Sequence, residues 1–147
     1  MHNFLIAGIV GTLLMTGAMY LLAAITGRNY KVVGILATMV TNHTTPEKGL
    51  TKSTADIMLG IVLHYVIGII FAFIYFQIWK NPGIVSAFAF GAITGVVAMI
   101  FWSSFFRLHP NPPAVPLPSY VPAIGTTHLI FSLGVHFYHT CISKIID

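Results

Sequence analysis

The chain predicts an all-α membrane protein of four transmembrane helices, and three observations carry that reading. Of its 147 residues 56% are hydrophobic and only 7% charged, and mean hydropathy is +0.88, which a soluble surface cannot accommodate. Four apolar runs without Asp, Glu, Lys or Arg are each long enough, at about 1.5 Å per residue, to cross a hydrocarbon core of roughly 30 Å. The seven Lys and Arg residues stand at or beyond the ends of those runs, where lipid headgroups would meet them. One bundle spanning 1–147 is the expected domain, because no hydrophilic stretch suffices for a second. The net charge of +4 is therefore read as interfacial, and no nucleic-acid, nucleotide or EF-hand motif is present. A single cysteine, Cys141, excludes an internal disulfide and a cysteine-based zinc site.

The first span is expected over 4–26. Its run is long for a signal peptide, no basic residue precedes it and no cleavage motif follows, so it is expected to stay in the mature protein. Gly27 and Arg28 end it, the glycine accepting a left-handed cap and the cation favouring the helix C-terminus. Residues 29–42 are apolar but too short to cross, which predicts a short interfacial or re-entrant helix. Thr45-Pro46-Glu47 reads as a helix start. Ser53-Thr54-Ala55-Asp56 has capping-box spacing and leads into the second span, 57–79. Asn81-Pro82-Gly83 is a turn so short that spans two and three are expected to be antiparallel neighbours. The third span, 84–106, stops at Arg107. A proline-rich connection follows, expected to be extended and stiff. The last span runs over 120–143 with Pro122 in its first turn, and Lys144 and Asp147 close the chain in water.

Four spans place both termini on one face and the connections 27–56 and 107–119 on the other. Arg28, Lys31, Lys48, Lys52 and Arg107 on the connection face, against Lys80 and Lys144, make the connections cytoplasmic by the positive-inside rule. An internal repeat suggests a parallel 2+2 design: Gly11 and Met15 in the first span answer to Gly95 and Met99 in the third, and His64 and Tyr75 in the second to His128 and His139 in the fourth.

A first span with spaced small residues and Met, then Gly60-x-x-x-His64-x-x-x-Gly68 leading to Tyr75, then a second such hairpin, resembles the small, poorly characterised bacterial inner-membrane proteins of the YagU-like kind. The resemblance covers the apolar spans and implies a four-span inner-membrane protein with no assigned catalytic residue. The proline-rich connection and the His136/His139 pair fall outside it.

Candidate chemistry rests on the histidines. On a helix, positions eleven apart return to nearly the same face, so His64 shares a face with Tyr75, and His128 with His139. A first layer, His64 with His128, lies toward the connection face; a second, Tyr75 with His139, toward the termini. His136 faces elsewhere. Gly60, Gly68, Gly125 and Ser132 beside the first layer either let helices approach closely, as do Ala7/Gly11 and Gly91/Gly95, or leave room for a flat cofactor. Three readings are open. The histidines pack, each bonded to a hydroxyl such as Thr12, Thr94, Thr127 or Ser132. They bind b-type haem or a metal ion, with His136, Met15 or Met99 as further ligands. Or they line a proton or solute conduit with Asp56 near its mouth. Catalysis is disfavoured, since no acid completes a triad with Ser103, Ser104 and His109 or with Cys141 and His139. His43 and His109 fall in connections and His2 at the terminus, and all are expected to be solvated. The expected partners are the bilayer and a second copy or membrane complex, since Gly and Ala stripes on spans one and three would serve helix association.

Overall fold

A computed structural model describes residues 3–142. It contains the helices α1 (Phe4–Thr26), α2 (Val32–Thr41), α3 (Thr54–Ile78), α4 (Ile84–Leu108) and α5 (Leu117–Phe137), the last running into a π-helical turn, Tyr138–Ile142. No strand occurs among the described residues. Three helices, α1, α3 and α4, are long and apolar enough to cross a membrane. Their outer faces carry large uncovered side chains such as Leu13, Leu21, Val62, Ile93 and Ile100. A surface of that extent finds its partner in acyl chains. The chain is a membrane protein in contact with lipid.

Local chemistry fixes the helix ends. The Asn3 side chain accepts the Ile6 N–H at 3.3 Å to open α1, and Gly27, at φ 65°, ends it in the left-handed conformation that glycine adopts without cost. Ser53 accepts the Asp56 N–H at 3.4 Å to open α3. That start, Thr54, precedes the expected Ile57 because the capping serine itself sets the first turn. The other end of the chain departs further from expectation. Helix α5 begins at Leu117, before the expected Tyr120, because the Pro116 carbonyl accepts the Ser119 and Tyr120 N–H groups. Pro118 takes the first turn and Pro122 lies inside the helix. Thr45-Pro46-Glu47 does not start a helix. Lys48 N–H donates to the Thr45 carbonyl at 2.9 Å, Gly49 N–H to Thr45 Oγ1 at 2.9 Å, and Lys48 turns left-handed at φ 58°. Glu47-Lys48-Gly49 offers no apolar face that a further helical turn could bury. The expected end of the last span at Ser143, with Lys144, Asp147 and His2, lies outside the described residues.

Helices α1 and α3 run antiparallel, since Phe4 meets Phe73 while Thr16 meets His64. Helix α5 is antiparallel to α4, with Trp102 against Tyr120 and Gly91 against Ser132. It packs on α1 too, with Gly11 against Phe131 and Gly134, and since α1 opposes α3 and α3 turns back into α4, α5 runs antiparallel to α1. Helix α2 packs on α3 through Gly60, where an added Cβ would lie 2.8 Å from the Val33 carbonyl oxygen, and buries most of its length. Helices α3 and α4 meet only near their short turn, where Tyr75, Trp79 and Phe90 cluster with ring centroids 5.3–6.1 Å apart. Beyond Phe71 and Phe90, whose centroids are 6.4 Å apart, the two helices diverge. The expected neighbours are thus neighbours at one end only.

The connections pack on one another at the wide end. Ala114 N–H donates to the Lys48 carbonyl at 2.7 Å, and Lys48 Nζ to Asn111 Oδ1. His109, expected to be solvated, is half-buried: its Nε2–H donates to the Met39 carbonyl at 2.8 Å while Nδ1 accepts the Asn111 N–H at 3.1 Å. The imidazole there ties the proline-rich connection to the end of α2. His43 is exposed, as expected, and pairs through Nδ1 with Asp56 at 2.8 Å.

Candidate functional site

The divergence of α3 from α4 leaves a cleft of about 260 Å³, floored by α1, α2 and α5. Its lining is apolar and aromatic apart from Thr12, His64 and His128. Ile67, Val97 and Phe101 stand at its rim and are also exposed on the outer surface. The cleft therefore opens sideways, between α3 and α4, where acyl chains would lie. Both histidines of the first layer line this one cavity, and both are buried.

Each histidine is held by a bond that fixes its tautomer. Thr16 Oγ1 lies 2.7 Å from the Thr12 carbonyl and 3.0 Å from His64 Nε2. A hydroxyl has one proton, so both contacts are hydrogen bonds only if Thr16 donates to the carbonyl and His64 Nε2–H donates to Thr16. His128 Nδ1 lies 2.7 Å from the Ile124 carbonyl, which can only accept. His64 Nδ1 and His128 Nε2 are left as bare acceptors with no hydrogen-bond partner among the described residues. Neither belongs to the enclosed unpartnered polar atoms, which are Thr12 Oγ1, Tyr120 OH and His136 Nδ1, so each keeps contact with open space.

The small residues beside these histidines are consumed by packing. A Cβ on Gly68 would strike Thr12 Oγ1, and one on Gly125 would lie 2.7 Å from Met99. Gly91 faces Ser132, while Gly95 faces the Gly125 carbonyl at 2.5 Å from an added Cβ. Gly11, Gly91 and Gly95, expected to let helices approach closely, do so against α5. Room for a ligand comes from large residues that hold α3 and α4 apart. None of the expected hydroxyl partners serves a histidine: Thr94, Thr127 and Ser132 bond carbonyls of their own helices. Thr16 does so instead. Its signal in the sequence is its place four residues after Thr12, where a threonine back-bonded to its own helix keeps a lone pair for a neighbour.

The second layer lies apart from the cleft. Tyr75 is buried among Phe76, Trp79 and Phe90. Its hydroxyl donates to Ser86 Oγ at 3.3 Å, whose proton goes to Gly83. His139 has its ring 5.4 Å from Phe76 in the π turn, which departs from the α-helical spacing that aligned it with His128. Asp56 accepts from Thr51 at 2.7 Å and from His43, outside the cleft lining.

As a metal centre the site offers two imidazoles and, from α1, Met15, which lines the cleft, whereas Met99 packs on Gly125. No group of three or more His, Cys, Asp and Glu is placed to hold a metal ion among the described residues. The lining contains no cation for haem carboxylates. Comparison with protein-family models, curated proteins and solved structures gives no match to this chain.

Proposed function

We propose that this chain is a four-span integral membrane protein that binds a small, largely apolar molecule in the cleft between α3 and α4. Binding, not catalysis, is its role. The observation that carries the reading is a largely apolar cavity lined by two histidines, each with one ring nitrogen already bonded and the other without a partner among the described residues. Unpaired acceptors in an apolar interior are costly, so a ligand that donates to them gains affinity. Fixing a ring by its N–H and leaving the other nitrogen to the cavity is the arrangement that serves ligands.

Helix α5 is the fourth span in this reading. It lies antiparallel to both α1 and α4, and its polar residues Thr127, His128 and Ser132 are buried, so shielding by its neighbours accounts for its lower apolarity. The parallel 2+2 repeat is supported by Gly68 and Ser132, which answer to one another and each meet the first helix of their own hairpin. A bacterial inner membrane with cytoplasmic connections, as in the YagU-like proteins that the chain resembles, completes the proposal. Its support is the basic residues gathered at the connections.

Equilibrium binding of 4-nonylphenol to the protein in nanodiscs tests the function. Saturable binding near one per chain, abolished by Ala98→Phe, which fills the cleft, is the expected result. Uptake that is the same in both proteins would overturn it. Thiol labelling of single cysteines placed at positions 111 and 144 from either side of the membrane tests the span count, since these positions lie on opposite faces only if α5 crosses.

A further inference from the structure

We propose that the cleft takes a hydroquinone from the bilayer and discriminates it from the corresponding quinone. This rests on the binding reading above and names the class of ligand. The acceptors of the cleft set the preference, beside an enclosed Thr12 hydroxyl and the indole N–H of Trp102 in the same lining. His64 has spent its N–H on Thr16 and His128 on the Ile124 carbonyl, so both remaining nitrogens can only accept. A matching ligand must donate. Ketones, ethers, esters and quinones bring acceptors to the two imidazole acceptors and leave these nitrogens unpaired, at a cost of about tenfold or more in affinity per group.

Shape narrows the class further. Phe71, Phe101 and Trp102 line the cleft and favour a flat ring. About 260 Å³ falls just below the roughly 300–1,000 Å³ of pockets that enclose drug-sized molecules. A substituted ring fits, and an attached chain must leave. Its exit lies between Ile67 and Val97, both exposed on the outer surface. The absence of any cation from the lining disfavours acidic amphiphiles such as fatty acids, whose charge would be buried unpaired. Two acceptors on two helices ask for two donors on one rigid body, which a ring with two hydroxyls provides. Oxidation removes both protons from those oxygens, so the quinone loses both bonds while keeping its shape.

Labelled decylhydroquinone, decylbenzoquinone and the dimethyl ether of the hydroquinone are equilibrated without oxygen with the protein in nanodiscs, nanodiscs holding the Ala98→Phe variant supplying the partition background. The hydroquinone is expected to bind saturably and about tenfold or more tightly than either other compound. His64→Ala and His128→Ala are each expected to weaken it about tenfold. Histidine ¹⁵N spectra of the wild-type protein give a readout independent of folding in the variants. His64 should be protonated on Nε2 and His128 on Nδ1, with the bare nitrogens shifted by the hydroquinone and not by its ether. Equal saturable binding of all three compounds would refute donor recognition and leave the cleft reading standing. No saturable binding by any of them would remove both.

Discussion

Helix α1 is sealed against α5, whereas α3 and α4, joined by a far shorter turn, stand apart, and the difference lies in where glycines fall. On the first seam Gly11 and Gly134 face one another, the Gly11 Cα lying 3.1 Å from the position of a Cβ on Gly134. Backbones that close leave no space for anything else. The glycines of α3 are directed elsewhere, Gly60 to α2 and Gly68 to α1. What α3 turns toward α4 is Ile67, Phe71 and Tyr75, and side chains of that size prop two helices apart. A short connection therefore fixes proximity only at its own end. The cavity is a product of bulk.

The largest expected effect comes from forcing a seam. At Gly95 a Cβ would lie 2.5 Å from the Gly125 carbonyl oxygen, and backbone cannot step aside. Gly95→Leu should destabilise the bundle by about 3 kcal/mol or more, read as a loss of monodisperse protein in detergent and an early denaturant midpoint. Gly17, on α1 with nothing within 4 Å of its added Cβ, is the control. Gly17→Leu should be neutral or slightly stabilising through helix propensity. If both variants behave alike, close glycine contact is not what separates seam from gap.

A middle-sized effect is expected where α2 closes the wide end of the cleft. Val32 and Leu36 of α2 line it, and α2 is tied down by Thr38 Oγ1, which accepts the Thr51 N–H at 2.8 Å. Thr38→Val leaves that buried N–H unpaired, at a cost of about 2 kcal/mol. A cysteine at the buried position Leu36 should then react with a thiol reagent several-fold faster than it does with Thr38 intact. Unchanged reactivity would mean that the packing of Gly60 on Val33 holds α2 without the polar tie.

These elements were unequally legible in the sequence. The extent of α1, the capping by Ser53 and the turn before α4 follow from local rules of apolar length, hydroxyl caps and glycine. That His64 and His128 line one cavity accords with their spacing, because two helices with matching polar positions can share a layer. The cleft itself was not visible, since it depends on which of two faces each glycine serves, and helical periodicity does not say which neighbour a face will meet. Thr45-Pro46-Glu47 shows the opposite failure: a correct local signal for a turn was extended into a helix that had no apolar face to bury. The alignment of His139 with His128 assumes unbroken α-helix, which the π turn at Tyr138–Ile142 interrupts.

The smallest effect on stability should come from adding bulk to the gap, one turn from the most damaging position. Ala98 follows Gly95 by three residues on α4, yet it lines the cleft while Gly95 meets the backbone of α5. Ala98→Phe places a ring in open space beside Phe101 and Trp102, where apolar burial against existing walls offsets any rearrangement. Its stability should stay within about 1 kcal/mol of wild type, as for substitutions that neither open a cavity nor overpack one. Measured on the same denaturant scale as Gly95→Leu, the pair compares two insertions of similar bulk into one helix. A large loss in Ala98→Phe would show that the cleft closes in the membrane and that α3 and α4 pack there as tightly as α1 and α5. A small loss, beside a large one at Gly95, would show that the space is held open by the fold itself.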